Sequence, residues 1–253
     1  MERGGAGVSE AVSSPGRRYL EVVRRLVERL DGEEWPNIRA AAALIADALE
    51  GGHEIHVFGT GHSHMLAEEM YYRAGGLVRV SPILFEGLML HASAPLSTSL
   101  ERLPGLAQAL LRDHPVASGD VLIIASNSGS NAVTTELAQL AGLAGARVIG
   151  LTSVRHATSP AARASKLPRL HETAEVVLDN GGFVGDAAVD IEGLDSPVAP
   201  TSTVVGAAIL NAVVAEAVQM LVDRGIVPDV YASANTTAGD SANARFVDPA
   251  APR

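Results

Sequence analysis

The chain has 253 residues, which is enough for one large domain or two small ones with a substantial buried core. Lysine and arginine number 19 against 29 aspartate and glutamate residues, and the formal charge of −10 argues against nucleic acid or an anionic membrane as the main partner. The chain contains no cysteine, so disulfides, thiolate catalysis and a cysteine zinc site are excluded. The N-terminus lacks the apolar core of a signal peptide, and we expect a cytoplasmic protein.

The composition along the chain predicts one domain with two tails. Residues 1–16 are rich in glycine and serine, and we expect them to be a disordered tail. Apolar residues at helical spacing predict two helices within 17–50, as an appendage to a sheet domain at 54–225. We expect 226–253 to be an irregular C-terminal tail. Because we find no internal repeat and no linker, we predict that 17–253 is a single domain.

From residue 54 onward, apolar runs alternate with helical patterns. That order predicts an α/β fold, a three-layer αβα sandwich in which helices cover both faces of a five-stranded parallel sheet. The predicted strands are 55–58, 77–80, 121–125, 147–151 and 176–179, and the predicted helices are 63–74, 103–113, 131–144 and 161–166.

The last third of the chain contains a polar run followed by a long apolar segment. Residues 180–200 carry many glycine, aspartate and proline residues, so we expect a long loop with a short strand at 187–191. Residues 203–222 are long and apolar enough for a membrane span, but Asn211 and Glu216 interrupt them. We therefore predict a helix buried in the core or at a subunit interface, and no membrane partner.

Two short polar loops each follow a predicted strand and precede a helical pattern. The first is Gly59-Thr60-Gly61-His62-Ser63 and the second is Ser126-Asn127-Ser128-Gly129-Ser130-Asn131. Unpaired N–H groups in the first turn of a helix, together with the helix dipole, attract anions. Two such loops in one α/β chain indicate a phosphorylated ligand at the carboxyl ends of a parallel sheet.

Hydroxyl groups recur at two further element ends, which is more than helix capping requires. Thr152 and Ser153 end a predicted strand, and Thr201 and Ser202 open the apolar helix. The alternative is that these loops are ordinary turns whose hydroxyls only cap helices. The candidate phosphate-binding residues are Gly61, His62, Ser63, Ser126, Asn127, Ser128, Ser130, Asn131, Thr152, Ser153, Thr201 and Ser202.

Two other interpretations of the first loop fail at specific positions. A dinucleotide fingerprint needs a third glycine where this chain has His64, and an acidic residue after the second strand where it has Ser81-Pro82. A nucleophile elbow, G-x-S-x-G, needs glycine where this chain has Met65. The loop therefore favours neither a nicotinamide site nor a serine hydrolase.

The two loops and a third polar segment together resemble one known family. The two loops, with Pro200-Thr201-Ser202-Thr203 before the apolar helix, resemble the SIS (sugar isomerase) domain over most of 36–225. The stretch 126–138 and the ending 231–235 are most similar to stand-alone SIS proteins, either uncharacterised or of the phosphosugar and phosphoheptose isomerase type. The resemblance implies the flavodoxin-like SIS fold.

The resemblance also implies a ligand, its leading contacts and an assembly. In the family the serine-rich loop holds the phosphate of a sugar phosphate, which implies Ser126, Asn127 and Ser128 as the leading contacts, with His62 and Ser63 nearby. Family sites are commonly completed by a second subunit, which implies a homodimer or homotetramer.

Four residues are candidates for catalysis. Isomerisation between aldose and ketose needs a base that moves a proton between C1 and C2, and a group that opens the ring. Glu68 and Glu69 follow the first loop on its helix, and Glu86 and His91 follow the second strand in an apolar stretch. The family glutamate on this helix falls ten residues after the loop serine. That position is Arg73 here, so its role does not transfer.

A metal is not required by this set of residues. His62, His64 and Glu68 are possible ligands, but no further ligand is evident in the sequence. We predict neither a metal nor a cofactor.

Three functions remain open on the sequence. The leading hypothesis is an enzyme that isomerises a sugar phosphate through an enediolate. The second is an etherase-like elimination on an amino-sugar phosphate, which also begins with removal of the C2 proton. The third is a sugar-phosphate sensor without catalysis. Sensor SIS domains usually carry a DNA-binding module, and this acidic chain has no basic segment for one.

Overall fold

A five-stranded parallel sheet forms the centre of the protein, in a computed structural model that describes residues 14–247. The order of its strands across the sheet is 2-1-3-4-5 along the chain, and every neighbouring pair is parallel. The strands are β1 (Ile55–Gly59), β2 (Val80–Ile83), β3 (Val121–Ala125), β4 (Arg147–Thr152) and β5 (Val176–Asp179).

Helices flank the sheet, and a small antiparallel hairpin precedes the longest of them. The hairpin pairs β6 (Ala187–Val189) with β7 (Val198–Pro200). The helices are α1 (Pro15–Leu30), α2 (Trp35–Glu50), α3 (His64–Met70), α4 (Leu90–Leu100), α5 (Leu106–Asp113), α6 (Ala132–Leu143), α7 (Val154–Ala157), α8 (Leu170–Thr173), α9 (Ser202–Asp223) and α10 (Thr237–Val247).

Two hydrophobic clusters, one on each face of the sheet, give the protein three layers. Successive side chains of a strand point to opposite faces, so neighbouring strand residues enter different clusters. Val57 and Ile123 pack with α2, α3 and α9, whereas Phe58 and Ile124 pack with α5 and α6. The predicted three-layer sandwich around a five-stranded parallel sheet is confirmed.

The second strand lies three residues later than predicted. We expected it at 77–80, ending before Ser81-Pro82, but the structure pairs Val80–Ile83 with β1. Proline cannot donate a ladder hydrogen bond, yet Pro82 is tolerated because β2 is an edge strand. Leu77 instead forms a bridge to Val230 in the C-terminal segment.

Two predicted helices are wrong in extent or place, and one helix in the structure was not predicted. The helix expected at 63–74 ends at Met70, since Tyr72 and Gly75 have positive φ angles of 45° and 80°. No helix occupies 161–166. The segment around His91, expected as a loop, contains a 3-10 turn and α4. Ser93 is extended there, so Pro95 starts a new helical turn instead of breaking one.

The ends of the chain also differ from the expectation. The predicted tail 1–16 lies mostly outside the described residues, and α1 already begins at Pro15. The predicted irregular tail 226–253 contains α10. The side chain of Asn243 holds this helix by hydrogen bonds to both backbone groups of Ala232, a tertiary contact that no local pattern reveals.

Helix α9 is the apolar segment that has the length and composition of a membrane span. It packs along α2 and α3, with residues such as Val205, Ile209 and Val213 fully buried in the larger cluster. Val204 and Val222 remain exposed on its other side. Its burial is that of a core helix with one uncovered face.

Buried Asp120 joins β1 and β3 at the amino end of the sheet. It accepts hydrogen bonds from the backbone N–H groups of Glu54 at 3.0 Å and Ala117 at 2.8 Å, and from His56 Nε2 at 3.2 Å. Burial opposes ionisation of Asp120, but these hydrogen bonds outweigh it and lower its pKa below the ordinary value.

We expect Asp120→Ala to lower the free energy of unfolding by roughly 2–4 kcal/mol, because two partly buried N–H groups and buried His56 lose their acceptor. Urea denaturation at pH 7 measures this free energy. The control is Asp113→Ala, a change at an exposed residue of α5. A lowered pKa stabilises the fold above the ordinary aspartate pKa of about 4, and this contribution is lost as pH falls through the folded value. The difference between wild type and variant should therefore shrink below about pH 4. Equal losses of unfolding free energy in Asp120→Ala and Asp113→Ala would contradict the stabilising role of the Asp120 hydrogen bonds.

Candidate functional site

The loop after β1 is folded tightly enough that only glycine fits at its first position. A Cβ on Gly59 would overlap the carbonyl oxygen of Ser63, which lies directly above it. Gly61 has a φ of 56°, in the left-handed region that glycine adopts without strain. The loop then forms a 3-10 turn over Gly61–Ser63 and leads into α3. His62 stays exposed on this turn.

The loop after β3 leaves several hydrogen-bond donors without a protein acceptor. Gly129, with a φ of 60°, donates its N–H to Ser126 Oγ at 3.2 Å, and Ser130 Oγ lies 3.3 Å from Ser128 Oγ. Within residues 14–247, the N–H groups of Ser128, Ser130 and Asn131 have no protein acceptor. Asn131 is the N-cap residue of α6, and its side chain makes no capping bond. These groups form an open set of neutral donors at the start of a helix.

A small cleft lies between the two loops and the start of α9. Its volume is about 10 Å³, which is room for about one water molecule. Four of the predicted phosphate-binding residues meet there, and Asn180, which the sequence analysis missed, joins them. The lining residues are Ser63, Leu66, Ala125, Ser126, Asn127, Leu151, Asn180, Ser202 and Thr203. A larger group therefore has to lie at the mouth of the cleft or widen it.

Thr152 and Ser153 hold the loops in place instead of facing a ligand. Both residues are fully buried. Thr152 Oγ1 donates to the backbone oxygen of Asn127 at 3.1 Å, and Ser153 Oγ donates to that of Gly182 at 2.8 Å. Their hydroxyl protons bind neighbouring loops, and the phosphate contact that we predicted for them stays a prediction.

The start of α9 is capped by a carboxylate of the same chain. Asp186 Oδ1 accepts the N–H groups of Thr201 at 3.1 Å and Ser202 at 2.9 Å, and Ser202 Oγ donates to Asp186 Oδ2 at 2.5 Å. Thr201 is fully buried, and its hydroxyl has no partner among residues 14–247. We predicted Thr201 and Ser202 as phosphate contacts, but Asp186 takes the donors at this helix start.

The predicted catalytic residues fall into different surroundings. Glu69 forms an ion pair with Arg73 and accepts a hydrogen bond from Asn211 Nδ2 on α9 at 2.8 Å. Glu68 lies on another side of α3, with its carboxylate 3.8 Å from His64 Nε2. Glu86 is exposed on the 3-10 turn after β2.

A small cluster beside the first loop contains Glu68, His64 and His91. His64 Nδ1 donates to the carbonyl oxygen of Gly61, so its Nε2 is the ring nitrogen that faces Glu68. The rings of His64 and His91 lie edge to face with their centroids 6.2 Å apart. The side chain of Glu68 is 51% exposed and can be reached by a ligand. None of the three residues lines the small cleft.

Glu101 is a second carboxylate near the loops, and the sequence analysis did not identify it. Thr60 Oγ1 donates to Glu101 Oε2 at 2.9 Å, and the backbone oxygen of Glu101 accepts the N–H of Val133 in the first turn of α6 at 3.2 Å. Glu101 therefore connects the two loops. No local pattern marks it, because it lies at the end of α4, a helix that we did not predict.

The possible metal ligands do not come together. In the described part of the chain, no three His, Asp or Glu side chains form a group that could hold a metal ion. His64 and Glu68 are paired, whereas His62 points to solvent as an exposed residue of the turn.

The fold and the two loops define a class of α/β protein that binds ligands at one edge of its sheet. Strand order 2-1-3-4-5 with polar loops at the carboxyl ends of β1 and β3 is a flavodoxin-like arrangement, which binds ligands at that edge. A family model for the SIS domain matches residues 18–153. In structure, the chain is similar to a phosphoheptose isomerase from Francisella tularensis, with a TM-score of 0.54 and 14% identity over 80% of this chain and 96% of that one. That likeness concerns the fold.

Other proteins share more sequence identity with this chain than that isomerase does. UPF0309 protein lin2794 of Listeria innocua is 40% identical over 91% of this chain and 93% of the relative. UPF0309 protein SCO4393 of Streptomyces coelicolor is 39% identical over 92% of this chain and 94% of the relative. The chain therefore belongs to the SIS domain family, as the sequence predicted, and within it to the UPF0309 proteins.

The Asp186 cap predicts a loss of stability when the carboxylate is removed. Asp186→Ala should lower the free energy of unfolding by roughly 2 kcal/mol, because α9 loses its cap and alanine is strained at the φ of 68°. Asp186→Asn should lose less, since asparagine caps helices and tolerates this φ. Urea denaturation measures both, with exposed Asp190→Ala in the same hairpin segment as the control. Losses no larger than that of the control would show that the cap contributes nothing.

Proposed function

We propose that the protein binds a sugar phosphate at the carboxyl edge of its sheet and isomerises the sugar through an enediolate. Membership of the SIS family supports a sugar-phosphate ligand and an isomerase-type function. The observation that carries the proposal is the convergence of Ser63, Ser126 and Asn127 at one cleft, next to the open N–H groups of the second loop.

The phosphoryl group would be held by neutral donors. Within the described residues 14–247, no lysine or arginine lines the cleft, and the whole chain carries a net charge of −10. Serine hydroxyls, the Asn127 amide and the N–H groups at the start of α6 supply the hydrogen bonds, and the α6 dipole adds partial positive charge. Because the cleft holds only about one water molecule, the sugar itself lies outside it.

Glu68 is the leading base for the proton transfer. Its carboxylate takes the C2 proton of the aldose, the electron pair left behind forms the C1=C2 double bond of the enediolate, and the pair of the C1 carbonyl bond moves to O1. The ketose forms when a proton passes from O2 to O1, the C2=O bond closes, and the carboxylate returns its proton to C1. Its exposure and its position beside His64 favour it. Glu69 is less suited, because Arg73 and Asn211 both bind its Oε1 and hold the carboxylate in place. His91, exposed next to His64, is the leading group for ring opening.

Two further parts of the proposal concern assembly and alternatives. The homodimer or homotetramer stays a prediction, supported by the exposed side of α9 with Val204 and Val222, and sedimentation velocity tests it. No observation in this structure favours elimination or a sensor over isomerisation. The experiments below separate all three.

Binding is tested by thermal unfolding with hexose, heptose and amino-sugar phosphates. A ligand that binds only the native state at 100 times its Kd adds about 2.7 kcal/mol, which raises the Tm of a chain of this size by roughly 5–10 °C. The matching sugars without phosphate are the controls and should leave the Tm unchanged. Ser128→Leu should abolish the shift, because leucine fills the space beside the open N–H groups. If no sugar phosphate raises the Tm of the wild type, the proposed function is wrong.

Catalysis is tested by NMR, as exchange of the C2 proton with deuterated water. We expect Glu68→Gln to bind sugar phosphate but to lower exchange by about 100-fold or more, the usual contribution of a general base. Glu69→Gln, the same change one residue away, should keep most of the exchange. Exchange that survives Glu68→Gln would reject this base, and Glu101→Gln and Glu86→Gln would then be compared. Binding without exchange in the wild type would indicate a sensor, and release of a C3 substituent would indicate elimination.

A further inference from the structure

Asn180 follows the end of β5, is buried, and lines the cleft beside Asn127 of the second loop. We propose that Asn180 is a positioning residue, which turns the amide of Asn127 so that its NH₂ group, and not its oxygen, faces the bound phosphoryl group. This inference rests on the proposed function, since it assigns how the same site recognises its anion.

The hydrogen bonds around Asn180 allow only one orientation of both amides. The backbone N–H of Gly182 can only donate, and it lies 2.8 Å from Asn180 Oδ1. The other end of the amide, Asn180 Nδ2, is therefore a donor, and it lies 3.0 Å from Asn127 Oδ1. Since the oxygen of Asn127 is taken, the atom left for a ligand is Asn127 Nδ2, which carries two protons.

The backbone holds Asn180 in this position. Its N–H donates to the backbone oxygen of Thr152 at 2.9 Å, which continues the pairing of β4 with β5 beyond Asp179. Asn180 is only 4% exposed. A Cβ on Gly182 would come within 2.8 Å of Asn180 Oδ1, so the residue that fixes the amide has no room for a side chain.

The backbone of Asn127 is also fixed, so its side chain is the part left to be oriented. The carbonyl oxygen of Asn127 accepts from Thr152 Oγ1 at 3.1 Å and from the N–H of Ser153 at 3.2 Å. Asn127 lines the cleft, and rotation of its amide by half a turn would exchange the positions of its Nδ2 donor and its oxygen. Among residues 14–247, no cationic side chain lines the cleft to offset that change, so the orientation of this amide turns one contact with an anion from attraction to repulsion.

The test measures the binding of inorganic phosphate and of fructose 6-phosphate by titration calorimetry. In Asn180→Asp the carboxylate still accepts from Gly182 but cannot donate to Asn127, whose amide then turns its NH₂ group towards it. We expect the Kd to rise by more than about 10-fold, because the anion loses a donor and meets an added charge. Gln219→Glu adds the same charge 17 residues beyond Ser202 on α9, roughly 26 Å along the helix, and should leave the Kd unchanged.

A double-mutant cycle separates positioning from direct contact. Asn180→Ala alone should raise the Kd about 3- to 10-fold, as expected for one misdirected hydrogen bond, and should have almost no effect in an Asn127→Ala background. Circular dichroism and urea denaturation check that each variant is folded. A general structural defect would weaken binding equally in both backgrounds.

The outcomes are distinct. Coupled effects in the cycle support the inference, and additive effects overturn it while leaving the proposed function intact. Unchanged binding in Asn180→Asp also overturns it. If the wild type binds neither inorganic phosphate nor any sugar phosphate, the proposed function fails, and this inference fails with it.

Discussion

The alignment of four parallel strands is the constraint on which the site depends. Gly59 pairs with Ala125, Ala125 with Leu151, and Leu151 with Leu178, so one row crosses the sheet near its carboxyl edge. The residues that follow this row belong to loops from distant parts of the chain. Because side chains alternate with a period of two, a slip of one strand by one residue would turn its end away from the others. The core on both faces excludes that slip, and packing thereby determines which polar groups meet.

The N-terminal ends of α9 and α6 differ in whether their N–H groups already have an acceptor. At α9, Asp186 already satisfies the N–H groups of Thr201 and Ser202, so a second anion there would meet a negative charge. At α6, the N–H groups before the helix have no acceptor among the described residues. In a protein with a charge of −10, an anion would therefore meet unpaired neutral donors at the start of α6 and an already paired carboxylate at the start of α9.

The sequence allowed prediction of the sheet and of both loops, because apolar runs and glycine-hydroxyl turns are local signals. It did not allow prediction of α4, where Pro95 and extended Ser93 obscure the helical pattern, or of the real place of β2. Among the residues that line the cleft, the sequence predicted Ser126 and Asn127 but not Asn180. Its role follows only from the pairing of β4 with β5 and from the N–H of Gly182, which are contacts between parts of the chain that are distant in sequence.

Binding of a sugar phosphate would not by itself distinguish an isomerase from a sensor, since both would hold the same anion. An isomerase differs from a sensor in that it needs a carboxylate near the sugar that is free to take a proton. Arg73, at the position of the family glutamate, pairs with Glu69 and makes it the weaker candidate, whereas Glu68 is half exposed beside a histidine whose ring is fixed by Gly61. A binding protein gains nothing from an exposed acid next to an oriented imidazole on the helix that follows the first loop. An enzyme that moves a proton between two carbons needs this arrangement, and for that reason isomerisation is the function we favour.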